Sequence, residues 1–139
     1  MRTLLKTFSA LFLALALASV SASASASTLA DAYAGIDNLR ALTASLPVTK
    51  ASKAASIRKD LYKKLDKAVK YLEKAASAQK ASEANDAYYK AALEIYHFGE
   101  KLEDLVDDEK VGETEGLALD DAADVVVGCI VDIYYPDNN

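Results

Sequence analysis

The sequence predicts an all-α protein, a single up-down-up-down four-helix bundle that follows a cleaved signal peptide. Apolar residues recur at steps of three and four through most of the chain, which is the period of an amphipathic helix. The prolines and glycines lie near the expected helix ends or at isolated positions that a helix tolerates. Connections of about two to ten residues make consecutive helices antiparallel neighbours, as in a bundle.

The N-terminal segment, residues 1–26, has the features of a secretory signal peptide. Arg2 and Lys6 precede an uncharged apolar core at residues 11–18, and the small residues at 22–26 offer cleavage sites. This core is shorter than the roughly 20 residues that a membrane-spanning helix needs, and no later uncharged stretch reaches that length. We therefore expect an exported protein, periplasmic or secreted, with no transmembrane segment in the mature chain.

The expected mature chain is short and acidic. Cleavage after Ala26 leaves 113 of the 139 residues, enough for one domain at 27–139 but too few for two. Removing Arg2 and Lys6 leaves 14 basic residues against 21 acidic ones, a net charge of −7. Because such a chain repels phosphates, we expect no nucleic-acid partner. The single Cys129 cannot form a disulfide within its own chain, so packing alone has to stabilise the fold.

The first two helices are predicted from apolar stripes. Residues 29–45 carry one such stripe, and Pro47 ends this helix because the residue before a proline is disfavoured in the helical region. Residues 56–79 carry a second stripe at alternating steps of four and three. Its members are Ile57, Leu61, Leu65, Ala68, Leu72, Ala75 and Gln79. On its polar side we expect i,i+4 ion pairs, Asp60 with Lys64 and Asp66 with Lys70.

The third helix is predicted from a cap at Ser82 to Val106, before a loop with the sequence "DDEKVGETEG". Its apolar seam keeps steps of four and three without a break: Ala84, Tyr88, Ala91, Ile95, Phe98, Leu102 and Leu105. The fourth helix, 119–134, is predicted from a polar stripe with helical spacing, formed by Asp121, Asp124, Gly128 and Asp132. A strand would place these residues on both faces. Burial of the wide apolar face outweighs the low helix propensity of three consecutive valines.

Four segments follow one another in an order and spacing that resemble a known module: "LRALTASLPV", "SIRKDLYKKLDKAVKYLEKA", "YYKAALEIYHFGEKLEDLV" and "LDDAADVVVGCIVDI". This is the FIMAH module, a small helical domain appended to exported and cell-surface bacterial proteins. The chain departs from its pattern in the longer junction "AASAQKASEANDAYYKA" and in the lack of a large partner domain. The resemblance implies a surface or interaction role and brings no catalytic residues.

The reactive residues form no recognisable catalytic or metal-binding constellation. His97 is the only histidine, and helical spacing places it away from the Phe98 and Leu102 seam, so we expect it to face solvent. Cys129 lies on the flank of the fourth helix, where a thiol behaves as a small apolar group. We therefore predict a protein that is not an enzyme, with no catalytic residues, no metal ligands and no cofactor.

The acidic loop allows a calcium interpretation. Asp107, Glu109, Gly112, Glu113 and Glu115 partly reproduce the spacing of an EF-hand loop. The match fails at two ligand positions, which Val111 and Ala118 occupy in place of oxygen donors. Clustered acidic residues are more often a solvated loop, and the sequence favours that interpretation.

Two surfaces remain as candidate interaction sites. The lysine stripe of the second helix would suit an anionic polymer or lipid headgroup, or would simply be a solvated rim; it consists of Lys59, Lys63, Lys67, Lys70 and Lys74. The aromatic face of the third helix, formed by Tyr89, Leu93 and Tyr96, lies opposite the seam. A helix that is apolar on both sides is either sandwiched in the core or part of an interface, and the sequence leaves both open.

These patterns indicate a binding module for a protein or cell-envelope component, acting through the aromatic face either as a monomer or as a homodimer. The alternative is a periplasmic protein that binds a small ligand or a metal ion of the calcium type. Its site would be a pocket between helices or the loop at residues 104–115.

Overall fold

The computed structural model describes residues 27–135 and confirms the all-helical prediction. This described part of the chain forms four helices: α1 (Leu29–Ala44), α2 (Ala51–Ser77), α3 (Ala81–Asp107) and α4 (Glu113–Tyr134). Within residues 27–135 the only extended pairing is an isolated antiparallel bridge between Val48 and Val111. The predicted signal peptide at 1–26 lies outside the described residues.

Helix α1 begins with a capping box and ends against an arginine of α2. Thr28 accepts a hydrogen bond from the backbone N–H of Asp31, and Asp31 accepts one from the N–H of Thr28, which satisfies two otherwise free donors. At the other end, Arg58 donates to the backbone oxygens of Thr43 and Leu46 at 3.3 and 2.9 Å. Arg58 thus supplies donors for carbonyl groups that have no partner within α1.

Two predicted helix starts were wrong by more than one turn, and the predicted Ser82 cap was also wrong, because α3 begins at Ala81 and no side chain caps it. Helix α2 begins at Ala51 and not at residue 56, because the alanine-rich segment before Ile57 favours a helix although it carries little of the apolar stripe. Helix α4 begins at Glu113 and not at residue 119. Glu113 and Glu115 lie in its first turn, where negative charge is favourable, and Gly116 is buried within the helix.

The helices pack in a cyclic order around one core. Helix α3 packs against α2 and α4, and α1 also packs against α2 and α4. The pairs α1/α3 and α2/α4 are therefore diagonal. The largest fully buried side chain is Phe98, and a shell of leucine and isoleucine from all four helices surrounds the same interior. The hydroxyl of the buried Thr43 donates to the backbone oxygen of Leu39 at 2.7 Å. This polar group therefore has a hydrogen-bond partner although it is buried.

The two loops at one end of the bundle are joined by hydrogen bonds. Beside the Val48–Val111 bridge, Thr49 N–H donates to the oxygen of Lys110 and Gly112 N–H donates to the oxygen of Pro47, both at 3.0 Å. Helix α3 ends in a Schellman motif, with Glu109 in the left-handed region at φ 54°. Its two bonds run from Lys110 N–H to Leu105 and from Glu109 N–H to Val106. These bonds fix the positions of both loops.

Glycine allows α3 and α4 to approach closely. A Cβ on Gly116 of α4 would lie 2.5 Å from a methyl group of Val106 and 3.3 Å from one of Val111. On α3, a Cβ at Gly99 would meet the carboxylate of Asp120. Gly128, in contrast, has nothing within 4 Å of the corresponding position. Gly116 is thus required by packing and Gly128 is not, whereas a side chain at Gly99 would have to displace the carboxylate end of Asp120.

We expect Gly116→Ala to destabilise the protein by about 1–2 kcal/mol, because the clash with Val106 outweighs the gain in helix propensity. Gly128→Ala is the matched control, and it should stabilise the protein by about 0.5–1 kcal/mol, since the added methyl group meets open space. Urea unfolding followed by circular dichroism measures both. A Gly116→Ala protein as stable as Gly128→Ala would contradict the close α3/α4 contact.

Candidate functional site

Helix α3 is apolar on two sides, and the bundle covers one of them. Ile95 and Phe98 of the predicted seam are fully buried. On the aromatic face, Tyr89 is 55% exposed, Leu93 37% and Tyr96 51%. The structure therefore places these three residues outside the core and not in a sandwiched layer. Their role as an interface stays a prediction.

The aromatic face borders a cluster of tyrosine rings that the sequence analysis missed. Tyr88 stacks on Tyr134 with ring centroids 6.3 Å apart, and Tyr135 lies against Tyr134 at 4.7 Å. Burial raises the pKa of Tyr134, and the adjacent Tyr135 and Tyr89 raise it further. Tyr89 thus connects the aromatic face of α3 to the end of α4. The available sequence signal was the pair Tyr88-Tyr89 at the start of one helix and Tyr134-Tyr135 at the end of the next.

His97 lies at the edge of the aromatic face. Its ring is tilted against that of Tyr96 at 6.1 Å, and its Nε2 atom lies 4.0 Å from a carboxylate oxygen of Glu100. The His97 side chain is 40% exposed, in agreement with the expected solvent-facing position.

A partly buried carboxyl group lies near the seam between α3 and α4. Asp120 of α4 packs over Gly99 of α3, which has no side chain to displace it. The pKa of Asp120 is raised from 3.8 to about 6, and burial is the largest cause. The neighbouring carboxylates of Asp124, Glu103 and Asp121 account for the rest of the rise, together with a hydrogen bond between Asp120 and Glu103. Since like charges at short range disfavour ionisation, Asp120 retains its proton to higher pH than an ordinary aspartate.

The lysine stripe lies on the outer side of α2, and all of its members are exposed. Lys74 lies over the ring of Tyr71, with its Nζ atom 5.8 Å from the ring centroid. The expected pairing of Asp66 with Lys70 was wrong, because Asp66 pairs with Arg40 of α1. Nor does Asp60 pair with Lys64 among the ion pairs of residues 27–135. The stripe is thus not neutralised by the acidic residues of its own helix.

Cys129 is buried in the core, as expected for a small apolar group. Burial raises the pKa of its thiol, and a hydrogen bond with Ser27 opposes part of that rise. A raised pKa keeps the sulfur in the thiol form, which is a poor nucleophile and a poor metal ligand.

The segment with EF-hand-like spacing does not form a loop of the required length. Helix α3 extends to Asp107 and α4 begins at Glu113, whereas an EF-hand loop needs about 12 residues. Glu113 and Glu115 are therefore helical. Among residues 27–135 no group of three or more His, Cys, Asp or Glu side chains is arranged to hold a metal ion.

Comparison with protein-family models, with curated proteins and with solved structures finds no match for this chain. The resemblance to the FIMAH module therefore stays a prediction. No helix in the described part of the chain combines the length and the apolar character needed to cross a membrane.

We expect the free energy of unfolding to fall as the pH rises from about 3.8 to about 6, because of Asp120. The pKa of its carboxyl group is about 6 in the folded protein and 3.8 in the unfolded chain, so between these values the folded state binds more protons than the unfolded state. This contribution to stability is fully present below about pH 3.8 and is lost as the pH passes 6. Asp120→Asn should remove the effect and stabilise the protein at pH 7 by about 1 kcal/mol, since solvent screens a partly buried group.

Urea unfolding at pH 5 and at pH 7 gives the change in the free energy of unfolding between these two pH values. The contribution of Asp120 is the difference in that change between the wild type and Asp120→Asn. Asp37→Asn, at an exposed position of α1, is the control and should show the same change as the wild type. Equal pH dependence in the wild type and in Asp120→Asn would show that Asp120 titrates normally.

We expect Cys129→Ala to cost about 1–2 kcal/mol through a small cavity and to leave binding intact. In the native protein the thiol should react with a disulfide reagent only at the rate of unfolding, because it is buried and protonated. Reaction at the rate of an unfolded control would contradict the structural role of this cysteine.

Proposed function

We propose that this protein is an exported, non-enzymatic helical-bundle module that binds a protein partner of the cell envelope or its surroundings through the aromatic face. The observation that carries the proposal is the exposure of Tyr89, Leu93 and Tyr96 on a helix whose opposite side is fully buried. Tyrosine is enriched at the centres of protein interfaces because it contributes a large apolar area and a polar tip at low entropic cost.

The surroundings of the face define the chemistry of the partner. The exposed Glu103 of α3 and the carboxyl groups around Asp120 border it on the side of α4, and Glu100 lies beside His97 at its edge. Electrostatic complementarity then favours a partner surface with an apolar or aromatic centre and lysine or arginine at its rim. A second copy of this chain is one outcome of the test and would give a homodimer.

The export and the topology belong to the same proposal. The basic start and apolar core of residues 1–26 support a signal peptide, and the resemblance to the FIMAH module supports a role at the cell surface. The up-down-up-down order is supported by pairs between helix starts and helix ends, such as Tyr88 with Tyr134 and Thr43 with Arg58.

The lysine stripe supports a second, separate contact. Its members are exposed along a continuous side of α2 in a chain whose overall charge is −5. Such a cationic line would hold an anionic envelope polymer or lipid headgroup by charge, so this contact should weaken as salt is raised.

We expect Leu93→Lys to abolish partner binding with little change in stability. Leu93 is 37% exposed, and exposed substitutions usually stay within about 0.5 kcal/mol. A charge at the centre of the apolar face would have to be desolvated in the complex, which costs several kcal/mol of binding. Sedimentation velocity reports self-association, and affinity capture from an envelope extract with quantitative mass spectrometry reports another partner.

Leu117→Lys is the matched control, because Leu117 has the same residue type and the same 37% exposure but lies near the start of α4. A true partner should be captured by the wild type and by Leu117→Lys, and lost with Leu93→Lys. Equal capture by all three proteins would contradict the proposed binding face. A large fall in melting temperature for Leu93→Lys alone would show that the residue is part of the core.

A further inference from the structure

A cleft opens at the loop end of the bundle, away from the tyrosine cluster. It has a volume of about 520 Å³, within the range of small-molecule sites. The α1–α2 loop, the first turns of α2, the end of α3 and the α3–α4 loop line it. None of the residues of the aromatic face or of the lysine stripe lies in it.

The hydrogen bonds between the two loops give this cleft a fixed shape. Thr49 donates its backbone N–H to the oxygen of Lys110 and its hydroxyl to the oxygen of Glu109, at 3.0 and 2.8 Å. Both loops are also joined by the Val48–Val111 bridge. A site that is ordered before binding loses less entropy when a ligand enters.

The floor of the cleft is apolar and its rim is cationic. Val48, Ile57 and Leu105 are buried or partly buried and form part of the core or pack against it. Three lysines lie around this apolar floor: Lys50 and Lys53 at the start of α2, and Lys101 near the end of α3. The positive groups therefore come from two different helices.

Part of this positive charge remains unbalanced within the cleft, since four lysines and three carboxylates line it. Lys110 lies 2.6 Å from Asp108 and forms the one ion pair among the lining residues, all of which are described. Lys101 also lies close enough to Asp108 to help lower the pKa of that carboxyl, and Asp60 and Glu109 are the other acidic lining residues. The cleft therefore has a small net positive charge in a chain whose net charge is −5. No acidic residue occupies the first turn of α2, where it would compete with an anion.

We propose that this cleft binds a small amphipathic anion, with an aliphatic or aromatic group on Val48, Ile57 and Leu105 and a carboxylate or phosphate head between Lys53 and Lys101. The apolar floor supplies contact area, and the lysines supply charge-assisted hydrogen bonds that select for the anionic head. The site is separate from the aromatic face, so a small ligand and a macromolecular partner bind independently.

The test is a titration of the purified protein with octanoate, octyl phosphate, acetate and octylamine, each below its aggregation threshold. Backbone amide NMR follows residues 48–53 and 105–110 in 50 mM salt. Octanoate or octyl phosphate should bind saturably, with a Kd on the order of 0.1–1 mM for a ligand of this size. The tighter of the two identifies the head group as carboxylate or phosphate.

Lys53→Gln and Lys101→Gln should each weaken that binding roughly tenfold. Lys80→Gln is the control and should change it less than twofold, because Lys80 is exposed and lies outside both the cleft and the lysine stripe. Leu93→Lys should leave it unchanged, which separates this test from that of the aromatic face. The proposal is overturned if neither octyl anion binds saturably, if acetate or octylamine binds as tightly as they do, or if both cleft lysine variants bind like the wild type.

Discussion

The close contact between α3 and α4 determines where the surfaces of this protein lie. Gly99 and Gly116 stand at that contact, and side chains at either position would meet Asp120 or Val106. Within residues 27–135, helix α3 has only α2 and α4 as neighbours, so no other helix of this part of the chain covers the side of α3 directed away from both. Tyr89, Leu93 and Tyr96 occupy that side, and their exposure is therefore a consequence of helix order and not of weak packing.

The two ends of the bundle carry different chemistry. One end holds stacked tyrosine rings from α3 and α4 that continue into the aromatic face. The other end holds two hydrogen-bonded loops and a cationic cleft with an apolar floor. Because α2 and α3 run the length of the bundle between these ends, a partner at one end and a small anion at the other would not compete. Asp120 lies at the seam between α3 and α4, among the carboxylates that border the aromatic face, and its protonation changes the stability of the bundle.

The periodicity of the sequence was sufficient to predict four helices, the Phe98 seam and the buried Cys129, because these follow from local spacing. The starts of α2 and α4 were not predictable in the same way. The first turns of α2 are rich in alanine, and the first turn of α4 is acidic. Both segments are helical, but neither carries an apolar stripe that would show this in the sequence. The cleft and the tyrosine cluster depend on which residues distant in the chain become neighbours. The exposure of the aromatic face depends on helix order, which periodicity does not encode.

The central claim is that the aromatic face is a free surface of a stable bundle. Hydroxyl-radical footprinting of the protein alone, read by mass spectrometry, tests it most directly. We expect strong labelling of Tyr89, Leu93 and Tyr96 and weak labelling of Phe98 and Ile95 on the opposite side of the same helix. Protection of the first three residues at the level of Phe98, in a protein that sediments as a monomer, would contradict it.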